Sequence, residues 1–127
     1  NDECAIHLRL TDYKNVDSSP LDYNYYARAL KILGIEPNAR VSIYTDDIEE
    51  AQQILQNLEL RILNYPEKTE PLSPEQLLIR ISSYSSIVAS RSSLCWWACL
   101  LATHIDSQTK VVCPWPSELS LNNWLHA

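Results

Sequence analysis

Three short segments of this chain carry residue types that could handle phosphate. The first is Ser92-Ser93-Leu94-Cys95-Trp96-Trp97, where two serines follow the apolar run Ile87-Val88-Ala89 and open a predicted helix on a tryptophan pair. A helix start presents unpaired backbone N–H groups and a partial positive charge, which suits a bound anion. The Ser92 and Ser93 hydroxyls can cap that helix or add donors to the anion. The second segment, His7-Leu8-Arg9-Leu10-Thr11-Asp12, ends the first predicted strand. The guanidinium of Arg9 is a planar fork of donors that matches a phosphate or diphosphate better than a lysine does. His7, two residues earlier on the same face, can orient a neighbour or touch the phosphate. The third segment, Thr45-Asp46-Asp47, ends the second predicted strand. An acid there can accept from ribose hydroxyls, as in doubly wound folds, or from a guanine N–H edge.

Each segment also has a purely structural alternative. Arg9 can pair with Asp12 while His7 is a hydrogen-bonded core histidine. Asp47, with Glu50 three residues on, has the pattern of a helix N-cap; Asp46 has no such duty. The serines can act as caps alone and the tryptophans as core. Trp96 and Trp97 point in different directions on a helix, so at most one faces a ligand. No H-x-x-x-H, H-E-x-x-H or C-x-x-C pattern occurs, so no metal site is expected.

Composition narrows the classes. The chain has 127 residues, enough for one domain with a real core. Its formal charge of −6, from 10 basic and 16 acidic residues, opposes a broad nucleic-acid surface. The longest strictly apolar run, 94–102, is too short to span a bilayer, and no signal-peptide pattern opens the chain. The four cysteines are expected to be buried and reduced. A single glycine, Gly34, excludes both G-x-G-x-x-G and a Walker loop.

The elements that must position these residues follow from periodicity and punctuation. Residues 4–9 read as a buried strand and 11–19 as a polar loop. Ser19 and Pro20 then open a helix with Tyr23, Tyr26, Ala27, Leu30 and Leu33 as its apolar stripe and Gly34 as its stop. Further strands are expected over 41–45, 60–63, 87–89 and 110–113. Helices are expected over 47–58, from the capping box Ser73-Pro74-Glu75-Gln76 to about 82, and over 93–105, with a short one near 122–125. Five alternations predict an α/β fold: a three-layer, doubly wound, Rossmann-like parallel sheet of about five strands. Ligands of such sheets sit beyond the carboxyl ends of the strands, where all three segments fall.

In order and spacing the segments resemble the donor-binding C-terminal half of GDP-fucose-dependent glycosyltransferases, above all the bacterial α-1,2-fucosyltransferase family. That half carries H-x-R-R-x-D-Y, an aromatic–[ST]-D-D segment and S-S-F-S-W-W. Here these read His7 to Tyr13, Tyr44-Thr45-Asp46-Asp47 and Ser92 to Trp97, with Leu10, Leu94 and Cys95 as departures. The pair Tyr25-Tyr26 and the segment 111–115 look similar too, so the likeness runs over nearly the whole chain. The resemblance implies that residues 1–127 form the nucleotide-sugar (donor) domain of a two-domain, B-type transferase. It assigns Arg9 to the donor diphosphate as the catalytic contact, with His7, Thr11 and Asp12 in the same donor loop. Asp46 or Asp47 would meet the nucleoside, with Thr45 part of the same donor site, and Ser92 or Ser93 a phosphate. GDP-fucose is the implied donor, transferred with inversion to a sugar hydroxyl and without a metal. The glycan acceptor would be held by a domain preceding Asn1, and neither nucleic acid nor a transmembrane segment is expected. A cytoplasmic place, or one peripheral to the inner membrane, goes with that reading. The alternative is a non-catalytic nucleotide-binding or interaction module of the same fold. A response-regulator-like domain would want a lysine after the fifth strand, where Pro114-Trp115-Pro116 stands.

Overall fold

Short runs of β-branched and small apolar residues, buried on both sides, assemble this chain around one parallel sheet. The computed structural model describes residues 4–11, 21–60, 62–115 and 124–127. Its strands are β1 (Cys4–Leu8), β2 (Arg40–Thr45), β3 (Ile62–Asn64), β4 (Ser86–Val88), β5 (Lys110–Cys113) and β6 (Leu125–His126). The helices α1 (Tyr23–Leu33), α2 (Ile48–Leu55), α3 (Pro74–Ser82) and α4 (Ser93–Ile105) make the crossovers that parallel pairing demands from β1 through β5. Across the sheet the order is β3-β2-β1-β4-β5-β6. This is the 3-2-1-4-5-6 order of a Rossmann-like α/β fold, so the predicted class is the observed one.

Strand alternation divides the core in two. Ile6, Leu8, Val41, Ile43 and Val112 pack with residues of α1 and α2. Ala5, Tyr44, Ile87, Val111 and Cys113 pack with α3 and α4. All four cysteines are buried free thiols. Fully burying one aliphatic side chain is worth roughly 1.5–3 kcal/mol, and Ile87 and Val88, both fully buried, let the three-residue β4 hold its register.

Several boundaries differ from the sequence expectation. The sheet has a sixth strand, and Leu125 belongs to it rather than to a closing helix; residues 122 and 123 lie outside the described ones. α1 begins at Tyr23, where the Asp22 side chain accepts from the Tyr25 amide. Ser19 and Pro20, the expected opening, lie outside the described residues. The buried stripe of α1 is Tyr25, Tyr26, Ala29, Leu30 and Leu33, rotated from the predicted one. Both stripes satisfy helical spacing, and hydrogen bonding decides between them. The Tyr25 hydroxyl donates to the carbonyls of Ala89 (2.6 Å) and Val112 (3.3 Å), while Tyr26 reaches the His7 carbonyl at 3.4 Å. This tyrosine pair ties α1 to the carboxyl ends of β4, β5 and β1. Gly34 ends α1 in the left-handed region, φ 68°, as expected of its only glycine.

Candidate functional site

Sheet order reverses between β1 and β4, the point at which doubly wound sheets leave a crevice beyond their carboxyl ends. A concavity of about 200 Å³ opens at that rim, on the side of the sheet covered by α3 and α4. His7 and Arg9 reach it from the end of β1, Thr45 and Asp46 from the end of β2, and Ser92 from the start of α4. Residues far apart in sequence are thus brought together by three strand ends. The register does this: β1 and β2 run level to Leu8↔Thr45, and β1 pairs with β4 through Ile6↔Val88.

His7 is buried, and its Nδ1 lies 2.6 Å from the Ser90 hydroxyl. It is therefore a hydrogen-bonded core histidine that also lines the cavity. Arg9 is half-buried, with Nη1 3.4 Å from the Ser92 hydroxyl. That hydroxyl, buried itself, caps α4 by accepting from the Cys95 amide at 3.4 Å. Both separations exceed the roughly 2.7–3.2 Å of a strong N–H···O bond, so the hydroxyl is held loosely between the arginine and the helix end. A guanidinium, a hydroxyl and a helix N-terminus thus meet at one edge of the cavity, a set of donors whose chemistry suits an anion.

Asp46 departs from its expected freedom. Its carboxylate accepts from the Leu10 amide (2.8 Å), the Thr11 amide (3.2 Å) and the Thr11 hydroxyl (2.6 Å). Partial burial works to raise its pKa, but these bonds together outweigh burial and hold the carboxyl below its ordinary range. Asp46 therefore braces the chain leaving β1 while still lining the cavity. Thr45 is buried, and its hydroxyl accepts from the Asp47 amide at 3.1 Å.

Other sequence candidates lie elsewhere. Asp47 is the N-cap of α2, accepting from the Glu50 amide at 3.1 Å, and is not among the residues lining the cavity. Thr11 is spent on Asp46. Ser93, the first residue of α4, is exposed and outside the lining, and Asp12 lies outside the described residues. Neither tryptophan faces the cavity: Trp97 is 57% exposed, and Trp96 stacks edge-on against Trp97 and Trp124. Leu10, at the place of the family segment's second arginine, is a buried core residue.

The sequence reading missed Glu67, which lines the same cavity from a 3₁₀ turn, Pro66–Lys68, after β3. Burial pushes its carboxyl up and the Asp46 charge adds to this, while His7 and a backbone hydrogen bond from Thr45 oppose it. Leu72, Pro74 and Leu77 add an apolar wall. A proline-marked loop gave only a turn; that β3 lies beside β2, and so delivers Glu67 to this rim, is a fact of strand order. The cavity is consequently lined by groups of both signs, Arg9 and the α4 N-terminus together with the carboxylates of Asp46 and Glu67.

Among the described residues no helix is long and apolar enough to cross a membrane. Comparison of the chain with family models, with curated proteins and with solved structures gave no match in any of the three.

Proposed function

We propose that this chain is the donor-binding domain of an inverting glycosyltransferase whose donor is a guanosine diphosphate sugar, GDP-fucose by its resemblance. The observation that supports this most is a single cavity, lined by groups of both signs, on which all three resembling segments end. An anionic diphosphate suits Arg9, Ser92 and the α4 N-terminus, and the nucleoside, with its O–H and N–H donors, suits the carboxylates of Asp46 and Glu67. In the reaction an acceptor hydroxyl attacks the anomeric carbon, the bond from that carbon to the phosphate oxygen breaks, and the nucleoside diphosphate leaves with the electron pair. Arg9 and the helix amides stabilise the charge that develops on the leaving diphosphate, a preorganised electrostatic contribution. The base that takes the acceptor proton and the acceptor site belong, in this reading, to a second domain. The concavity's 200 Å³ is below the roughly 300–1,000 Å³ of pockets that engulf a ligand, so it seats part of the donor and leaves the sugar open to that domain.

Calorimetric titration of the chain with GDP, UDP and ADP tests the reading. GDP is expected to bind tightest. Equal binding of the three, or none, would count against it.

A further inference from the structure

Glu67 is the acid that the cavity's internal hydrogen bonds leave most to a ligand. The Asp46 carboxylate is engaged by two amides and a hydroxyl, and Asp47 is spent capping α2. Glu67 is half-buried in the cavity wall, and among the described residues its carboxylate lies within the influence of one backbone donor, at Thr45, where an ionised carboxylate has about four acceptor sites. Its 3₁₀ turn packs on β2, on the far side of β1 from α4. Neighbouring strands lie about 4.8 Å apart, so the two spacings from β2 to β4 set this wall and the α4 N-terminus roughly 10 Å apart. That is the reach of a nucleoside diphosphate from its terminal phosphate to its base. Leu72 and Leu77, which line the same cavity, offer apolar surface to a flat ring.

We infer that Glu67 reads the base of the bound nucleotide, its carboxylate accepting both the N1–H and the 2-amino group of guanine. This rests on the donor-site reading above. A carboxylate only accepts, and guanine alone among the common bases offers two adjacent donors on that edge. Adenine places an acceptor beside its single donor there, and uracil flanks its one N–H with two carbonyls. Hypoxanthine keeps N1–H but lacks the amino group, which makes inosine diphosphate the discriminating probe. A carboxyl held up by burial also gains from donors that arrive with the ligand.

The test titrates GDP, IDP, ADP and UDP into the 127-residue chain and into its Glu67→Gln and Glu67→Asp variants, with the melting temperature of each recorded. The wild type is expected to prefer GDP over IDP by roughly tenfold. Glu67→Gln should weaken GDP by roughly ten- to a hundredfold, bring the GDP-to-IDP ratio near one and leave UDP little changed. Glu67→Asp, which keeps the charge, should retain part of the preference. An unchanged GDP-to-IDP ratio in Glu67→Gln overturns the assignment, and so does an equal loss for all four diphosphates alongside a lowered melting temperature. If the wild type prefers GDP but Glu67→Gln does so equally, only the role of Glu67 falls. If the wild type shows no preference for GDP, the donor-site reading falls with it.

Discussion

Arg9 stands just past the end of β1, beside the capping serine of α4, and two accounts of it make different demands. If it holds a diphosphate, Arg9→Ala should weaken GDP binding by roughly thirty- to a hundredfold, the worth of about 2–3 kcal/mol for charge-assisted contacts. Arg9→Lys should recover only part, because an ammonium is a point charge without the planar fork. If Arg9 only braces its own loop, the alanine variant should melt lower and bind GDP as before. Titration and thermal melting of the same two variants separate the accounts. His7 is less open to such a test, because its ring is tied to Ser90 at 2.6 Å and buried against the core, so replacing it would disturb packing first.

At the level of elements, the site depends on how the ends of β1 and β2 are pinned together. Asp46 does this by gathering two amides and a hydroxyl from the chain that leaves β1. Asp46→Asn keeps one acceptor oxygen but loses the charge and one set of lone pairs. After discounting for solvent screening this should cost about 1 kcal/mol, or roughly 4 °C in Tm at neutral pH. The folded-state pKa of Asp46 is depressed, so its stabilisation is present above the ordinary carboxylate pKa and is lost as pH falls through the folded value. The gap in Tm between wild type and Asp46→Asn should therefore close as the pH drops below roughly 4. A gap that stays constant down to pH 2 would show that the charge is not what braces the loop. α4 is positioned by a comparable economy: Ser92 caps it, and its buried face, Cys95, Ala98, Cys99 and Ala102, is narrow enough to lie close on the sheet.

For the whole molecule, the decisive property is that groups of both signs meet in one cavity. The chain is acidic overall, at −6, yet the rim gathers Arg9 and a helix N-terminus at one edge. Long-range attraction therefore does not bring an anionic ligand here, and binding must come from short, directed contacts. Arg9 and the helix end can neutralise a diphosphate without a divalent ion, so GDP affinity is expected to be the same in chelator as in magnesium. Affinity lost in chelator and restored by magnesium or manganese would instead make the metal part of the site.

Strand and helix order, the burial of the four thiols, the Ser73 and Asp47 caps and the stop at Gly34 were all legible in the sequence. Each is local: a period, a cap or a left-handed turn acts over a few residues and needs no distant partner. The convergence of the His7, Thr45 and Ser92 segments was legible too, because an alternating α/β pattern places every strand's carboxyl end on one rim. What the tertiary structure alone decided is which side chains on that rim remain for a ligand. Asp46 proved to be a brace and Ser93 an exposed bystander, while Glu67 entered from a loop that carried no motif. The tyrosine stripe of α1 and the sixth strand were settled in the same way. A carboxylate or hydroxyl binds whichever donor the packed sheet brings within about 3 Å, and that neighbour is chosen by strand order and register, not by distance along the chain.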